Sequence, residues 1–301
     1  MSKLQNALVG GARAVIGQVP SGWLPGGTPD PLIEKRVALG TQQPRIDGPD
    51  KVRGAARFAA EVPMAGLLYT AFVHSTIARG TIADLDTGAA EAAPGVALVM
   101  THRNAPKLAV PPALGITNMK AAGNNLLPVM QDAQVRWNGQ VVAVVLADTQ
   151  EQADHAAALV AVRYSPAKAR TRFAEAKADA RTPDSILIER NHLVIGRPQA
   201  ALEDAAAKVD AVYTTPWHSH APIEPHAATI HWDGDNLTVH DATQMLNATA
   251  GSLAKVFGLK EGQVRVISPF VGGGFGGKGL WDHQILGAAA AKLAGRPVRL
   301  A

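Results

Sequence analysis

Five glycines occupy the six positions Gly272-Gly273-Gly274-Phe275-Gly276-Gly277, and Lys278 follows directly. Glycine at that density weakens helix and strand alike, because the bare backbone loses the most freedom on ordering and brings no side chain to pack. A chain carries such a run where main chain must approach another group closely. A row of uncovered N–H groups then forms a concave site suited to a bulky, electron-rich or anionic ligand. The run comes after the apolar stretch 264–271, so it reads as a loop leaving a strand and cradling a cofactor.

Two better-known loops resemble it on paper. The run satisfies G-x-G-x-x-G, yet the dinucleotide fingerprint also needs an acidic residue about 20 positions on. After Asp282 the sequence holds neither Asp nor Glu. Gly277-Lys278 nearly completes G-x-x-x-x-G-K-[ST], but Gly279 stands where a hydroxyl should ligate magnesium. A glycine-rich bulge without a ligand is the plain alternative.

The chain has 301 residues, 47% of them hydrophobic and 18% charged, enough to bury a core and to form two compact units. It has no cysteine, which excludes disulfides, thiolate nucleophiles, cysteine-ligated zinc and iron–sulfur clusters within this sequence. Redox chemistry here would need a bound cofactor with other ligands. The net charge of +4 comes from scattered basic residues, not a stripe, which argues against nucleic-acid binding. No run approaches the roughly 18–20 apolar residues of a membrane span. Residues 4–19 are mildly apolar and broken by glycines and Arg13, which suits an amphipathic helix or an arm on a partner subunit and gives no export signal. The expected location is cytoplasmic, or periplasmic through a signal-bearing partner.

Residues 1–43 read as an arm and an extended, Pro/Gly-rich lead-in. An α+β module is expected at 44–165, with strands at 67–73, 81–85, 96–101, 141–147 and 160–164. Helices are expected at 86–93 and 149–161, the latter with Thr149 as N-cap. Residues 103–134 read as a long loop. The connection 166–208, helical at 173–180, marks a domain boundary. The second unit, 209–301, should carry strands at 209–215, 227–232, 236–240 and 264–271, helices at Leu246–Phe257 and 281–293, and a strand beginning at Val298. Ending on the start of a strand hints that the polypeptide is incomplete.

Half of the ten histidines lie between 218 and 240: His218, His220, His226, His231 and His240. His218 and His220 share a face if the segment is extended, as two metal ligands could. No third ligand of firm geometry accompanies them, and Glu224-Pro225-His226 reads as a turn. A catalytic zinc and purely structural roles both stay open, and no direct metal ligand is assigned.

Taken in order, several motifs resemble the molybdenum-binding subunit of the xanthine dehydrogenase/aldehyde oxidase family, closest to the bacterial three-subunit aldehyde-oxidising type. They are the stretch 45–59 (RIDGPDKVRGAARFA), Pro94-Gly95-Val96, the stretch 137–145 (WNGQVVAVV), Gln150-Glu151-Gln152-Ala153, Glu224-Pro225-His226-Ala227, Thr243-Gln244-Met245 and the glycine run. The resemblance covers about residues 40–301. It implies an α/β hammerhead domain followed by the first part of a molybdenum-cofactor-binding domain. By position Gln244 is similar to the glutamine that hydrogen-bonds an oxo group on molybdenum. Gly273, Gly274, Phe275, Gly276 and Gly277 resemble the loop whose backbone amides meet the cofactor. An uncharged amide donor suits such an oxygen. Lys278 caps the loop or pairs with a cofactor phosphate.

The implied cofactor is molybdenum–molybdopterin, in the cytosine dinucleotide form, and the implied reaction is oxidative hydroxylation. Electrons would pass to separate Fe–S and FAD subunits, and the missing C-terminal half of the molybdenum subunit is a further expected partner. Purine-oxidising relatives carry a glutamate after the loop lysine, whereas this chain has Gly279, which leans toward aldehydes or N-heterocycles. Family members extend hundreds of residues further and carry their general-base glutamate there. No catalytic residue is therefore assigned here, Glu224 is not a substitute, and the chain alone is expected to lack turnover. The alternative is a non-catalytic remnant or assembly module without cofactor.

Overall fold

A computed structural model describes residues 44–112, 126–183, 185–186, 189–190 and 194–301. The expected arm and lead-in at 1–43, the middle of the expected loop at 103–134 and part of the expected connection lie outside the described residues. The chain divides into Met1–Ala56 and Arg57–Ala301. In the first unit the described residues form one short helix, Gly48–Val52, with proline in its first turn and exposed ion pairs from Asp47 to Arg45 and Lys51.

The second unit runs through β1 (Leu68–His74), β2 (Gly80–Asp86), β3 (Val96–Thr101), β4 (Gln134–Val135), β5 (Val141–Ala147), α1 (Gln150–Leu159) and β6 (Ala161–Pro166). A small pair β7 (Ser185–Ile186) and β8 (Glu189–Arg190) follows. Then come β9 (Ala228–Asp233), β10 (Asn236–Asp241), α2 (Leu246–Phe257), β11 (Val264–Ile267), α3 (Asp282–Ala294) and β12 (Val298–Leu300).

Seven strands share one sheet in the order β11-β10-β9-β12-β1-β5-β3, and β4-β2-β6 form a second. In the large sheet β1 pairs β12 and β10 pairs β11 in parallel; the remaining ladders are antiparallel. β12 is the seam. It inserts between β9 and β1, with Leu68 opposite Val298 and the Leu68 N–H donating to Pro297 O at 2.8 Å. Strands from both sides of 166–208 therefore build one sheet over one core, in which Leu68, Val144 and Leu146 join Ile230, Leu253, Ile285 and Leu300.

Local chemistry explains the individual elements. β5 is a continuous Val/Leu/Ala run buried from Val142 to Ala147, as befits a strand covered on both faces. α1 opens with a capping box: Gln152 N–H donates to Thr149 Oγ1 at 3.2 Å, and Thr149 N–H donates to Gln152 Oε1 at 3.1 Å. It stops at Leu159, short of the expected 161, because Ala161 pairs with Asp86 in the second sheet. α2 ends on Gly258 at φ 67°, the left-handed cap that glycine adopts without cost. α3 lies so close on β9 and β12 that a Cβ at Gly287 would stand 2.4 Å from Leu300 Cδ2 and 2.9 Å from Ile230 Cδ1.

Three expectations need correction. The strand at 209–215 is absent: Val212 and Tyr213 are exposed, because alternating apolar residues make a strand only where a sheet edge receives their N–H and C=O groups. The strand at 264–271 ends at Ile267, opposite His240, where its ladder with β10 runs out. The helix at 86–93 is a single turn, Gly88–Glu91.

Candidate functional site

β10 and β11 are parallel neighbours, so the segments following Asp241 and Ile267 leave the same end of the sheet. β9 is antiparallel to β10, with Ala228 opposite Asp241, so the turn at 222–227 enters there as well. Three segments thus meet outside the carboxyl ends of two parallel strands, a position that favours ligand sites in α/β sheets.

The glycine run makes the closest contacts. A Cβ at Gly274 would lie 1.9 Å from Gln244 Oε1, one at Gly272 would lie 2.4 Å from Glu224 Cβ, and one at Gly277 would lie 2.9 Å from His220 Cγ. Each of these glycines is required by a different neighbour. Between them the Gly277 N–H donates to Gly274 O at 2.7 Å, closing a tight turn over Phe275 and Gly276. Phe275 adopts φ 50°, a left-handed conformation strained for a bulky residue, and the residue is 73% exposed. Among the described residues the N–H groups of Phe275 and Gly276 and the side-chain amide of Gln244 have no hydrogen-bond partner.

Behind this surface lies a buried polar frame. The Lys278 side chain is fully enclosed and its Nζ donates to Glu224 Oε2 at 2.6 Å. Gly272 N–H donates to the same oxygen at 2.6 Å, while Glu224 N–H donates to Gly272 O at 3.2 Å. The Lys278 carbonyl accepts from Gln244 N–H at 3.0 Å and from Thr243 Oγ1 at 3.2 Å. Deeper still, Asp241 Oδ2 accepts from Gln284 Nε2 at 2.8 Å, and the same amide donates to Gly279 O at 2.9 Å. Burial pushes the Asp241 carboxyl up to about 7, against the opposing pull of the Gln284 hydrogen bond and the Lys278 charge.

On the other side of the loop is a cleft of about 670 Å3, lined among others by His74, Trp137, His220, His226, Trp281 and His283. The His226 and His283 rings stand 4.8 Å apart. Burial, with the neighbouring His226 as a second cause, drives His283 down to about 3, so it is neutral at ordinary pH. The Trp281 indole N–H donates to Gly277 O and ties the cleft wall to the loop.

The structure thus brings Gln244 against Gly274 and gathers Gly273, Phe275, Gly276 and Gly277 on one turn. His220 borders the loop, and His218 lies exposed outside any helix or strand. Among the described residues no group of three or more His, Asp or Glu is placed to hold a metal ion. Lys278 does not reach outward to a phosphate; it turns inward to Glu224. Sequence reasoning missed that pairing, together with Asp241 and Gln284. A lysine flanked by Gly277, Gly279 and Leu280 was a usable signal, because a lysine at a buried position requires a carboxylate.

The side-chain amide of Gln244 and the bare main chain of Phe275 and Gly276 thus stand close together near the carboxyl ends of β10 and β11, without partners among the described residues. Comparison with known proteins identifies the family. The family model for the aldehyde oxidase and xanthine dehydrogenase a/b hammerhead domain matches residues 53–168, and the model for the molybdopterin cofactor-binding domain matches residues 180–301. The chain belongs to the molybdenum-binding subunits of the xanthine dehydrogenase/aldehyde oxidase family. It is similar to the aldehyde oxidoreductase molybdenum-binding subunit PaoC of Escherichia coli K12, at 38% identity over 89% of this chain and 35% of that protein. It is also similar to the nicotinate dehydrogenase large molybdopterin subunit of Eubacterium barkeri, at 30% identity over 80% of this chain and 55% of that one. Among solved structures, quinoline 2-oxidoreductase from Pseudomonas putida 86 superimposes with a TM-score of 0.72 at 26% identity, covering 87% of this chain and 34% of its own. The chain therefore spans between about a third and about half of the length of these relatives.

Proposed function

We propose that this chain holds a molybdenum–molybdopterin group, in the cytosine dinucleotide form, on the glycine turn and Gln244. The observation that carries the reading is the contact at Gly274. Only a residue without Cβ lets the Gln244 amide stand against the turn, and that amide and the Phe275 and Gly276 N–H groups make no hydrogen bond to a described residue. Donors left open at a strained turn fit a group rich in oxygen and sulfur acceptors.

When bound, that group supplies oxidative hydroxylation of an aldehyde or an N-heterocycle. The residues of this chain bind and orient it. Gln244 and the main chain of Phe275 and Gly276 donate hydrogen bonds, and the buried frame of Glu224, Lys278, Asp241 and Gln284 holds the turn from behind. Gly279 at the position where purine-oxidising relatives carry glutamate supports the substrate class, as do the names of two relatives, one an aldehyde oxidoreductase and one a nicotinate dehydrogenase.

The lack of cysteine supports placing the Fe–S centres, and with them FAD, on partner subunits. No general base is assigned in this chain. Glu224, the carboxylate beside the turn, is already engaged by Gly272 and Lys278, so turnover is expected only with the remainder of the molybdenum subunit.

The test is composition. Chain purified from a molybdenum-replete bacterial host should carry close to one molybdenum per chain and release a fluorescent pterin on oxidation. Clean protein lacking both would mark it instead as a cofactor-free assembly module.

A further inference from the structure

The two ends of the glycine run meet on a single atom. Gly272, at its start, and Lys278, directly after it, both donate to Glu224 Oε2, each at 2.6 Å. Neither residue is close to Glu224 in sequence; the separations are 48 and 54 positions. A run with five glycines has no side chains to stiffen it, and free in solution it would sample many conformations. Two charge-assisted hydrogen bonds to one carboxylate oxygen, on a side chain only 11% exposed, are among the stronger restraints a protein can place on such a loop.

Lys278 also carries the second connection. Its carbonyl receives the Gln244 N–H, so one residue fixes the Gln244 turn through its main chain and the Glu224 turn through its ammonium group. Its side chain is wholly enclosed and reaches no ligand surface. Both donors fall on Oε2 of Glu224, and its Oε1 has no hydrogen-bond partner among the described residues.

We infer that Glu224 and Lys278 are positioning residues: a buried ionic clasp that sets the spacing between the Gln244 amide and the main chain of Phe275 and Gly276. The inference rests on the proposed cofactor reading only for what the turn receives; the clasp itself is a property of the chain.

Hydrogen exchange on the full chain tests it. In wild-type chain stripped of molybdenum and pterin, the Gly272 amide should exchange at least about a hundredfold more slowly than those of Phe275 and Gly276, since it alone of the three has an acceptor among the described residues. Comparable rates for all three would overturn the clasp without any variant. The paired replacement Glu224→Leu with Lys278→Met then removes both charges and the acceptor together. Exchanging a buried ion pair for apolar side chains of similar size commonly leaves stability close to unchanged.

The expected result is a melting temperature near that of the wild type, with amides 272–277 exchanging about tenfold faster or more, the loss of roughly one strong hydrogen bond. Molybdenum content should fall with the loss of protection, a change that a merely stabilising ion pair would not produce once the melting temperature is restored. Wild-type exchange in the double variant would show that the turn holds itself, and the proposal would be wrong. A wild-type chain with a protected Gly272 amide but no molybdenum would uphold the clasp and sink the cofactor reading, so the two failures are distinguishable.

Discussion

β5 is buried along nearly its whole length, whereas the turn at 272–279 is buried at Gly274 and Gly277–Gly279 and exposed at its tip, Phe275 and Gly276, and the two are held by opposite means. β5 offers side chains in a continuous apolar run, flanked by β1 and β3, and its order follows from burial and an unbroken ladder. The turn offers almost no side chains at all. Its order comes from buried Lys278, Asp241 and Gln284 and from part-buried Glu224, which reach it from the turn itself, the end of β10, the first turn of α3 and the segment before β9. Apolar burial is tolerant of substitution, whereas a polar frame depends on each specific partner, and here Glu224 Oε1 and Asp241 Oδ1 already lack one among the described residues. The scaffold half of the sheet should therefore respond to mutation gradually, and the site half abruptly.

Lys278→Met alone should show the larger effect. It strands the Glu224 carboxylate with the Gly272 N–H as its only donor among the described residues, and breaking a largely buried pair this way costs about 3–5 kcal/mol, read from urea unfolding. A loss below about 1 kcal/mol, the range of exposed pairs, would erase the contrast between the two regions. In the scaffold, Leu146→Ala removes a fully buried side chain and should cost about 2–5 kcal/mol, with the loop amides keeping their exchange rates.

Acidity sharpens the comparison further. Asp241 has a folded value of about 7 against an ordinary 3.8, so the folded chain holds this proton more tightly than the unfolded one. Its stabilising contribution is complete below about pH 4 and is lost as pH rises toward 7. His283 has the opposite sign: with a folded value of about 3 against 6.5, its contribution is lost as pH falls below 6.5. Subtracting the wild-type profile from that of Asp241→Asn cancels the histidine. The difference should grow in favour of the variant by about 1.4 kcal/mol per pH unit between pH 4 and 7, then level off. A flat difference would mean that Asp241 is ionised throughout. The smallest effect belongs to the scaffold: Thr149→Ala removes the cap of α1 and should cost about 1 kcal/mol, measurable by thermal unfolding.

The same contrast decides what could be read in advance. β5, the cap at Thr149 and the span of α2 are legible because their causes are local: a Val/Leu run, a hydroxyl three residues before a glutamine, and a helix closed by Gly258. The glycine turn and Gln244 were legible as a motif. The clasp was not, because Glu224 and Lys278 find each other across 54 positions only once β9, β10 and β11 have aligned their ends. Nor was the seam, where Val298 pairs with Leu68 across most of the chain. The segment 209–215 misled for the converse reason: it has a strand's alternation and no partner among the described residues.

Gly274→Ala is the most direct probe of the whole account. The added methyl meets only the far end of the Gln244 side chain, which can swing away at little cost to folding. The variant should melt within a few degrees of the wild type, as surface changes under about 0.5 kcal/mol do, and yet retain about a tenth or less of its molybdenum. Equal molybdenum in both proteins, at equal melting temperature, would show that the turn and Gln244 do not hold the cofactor.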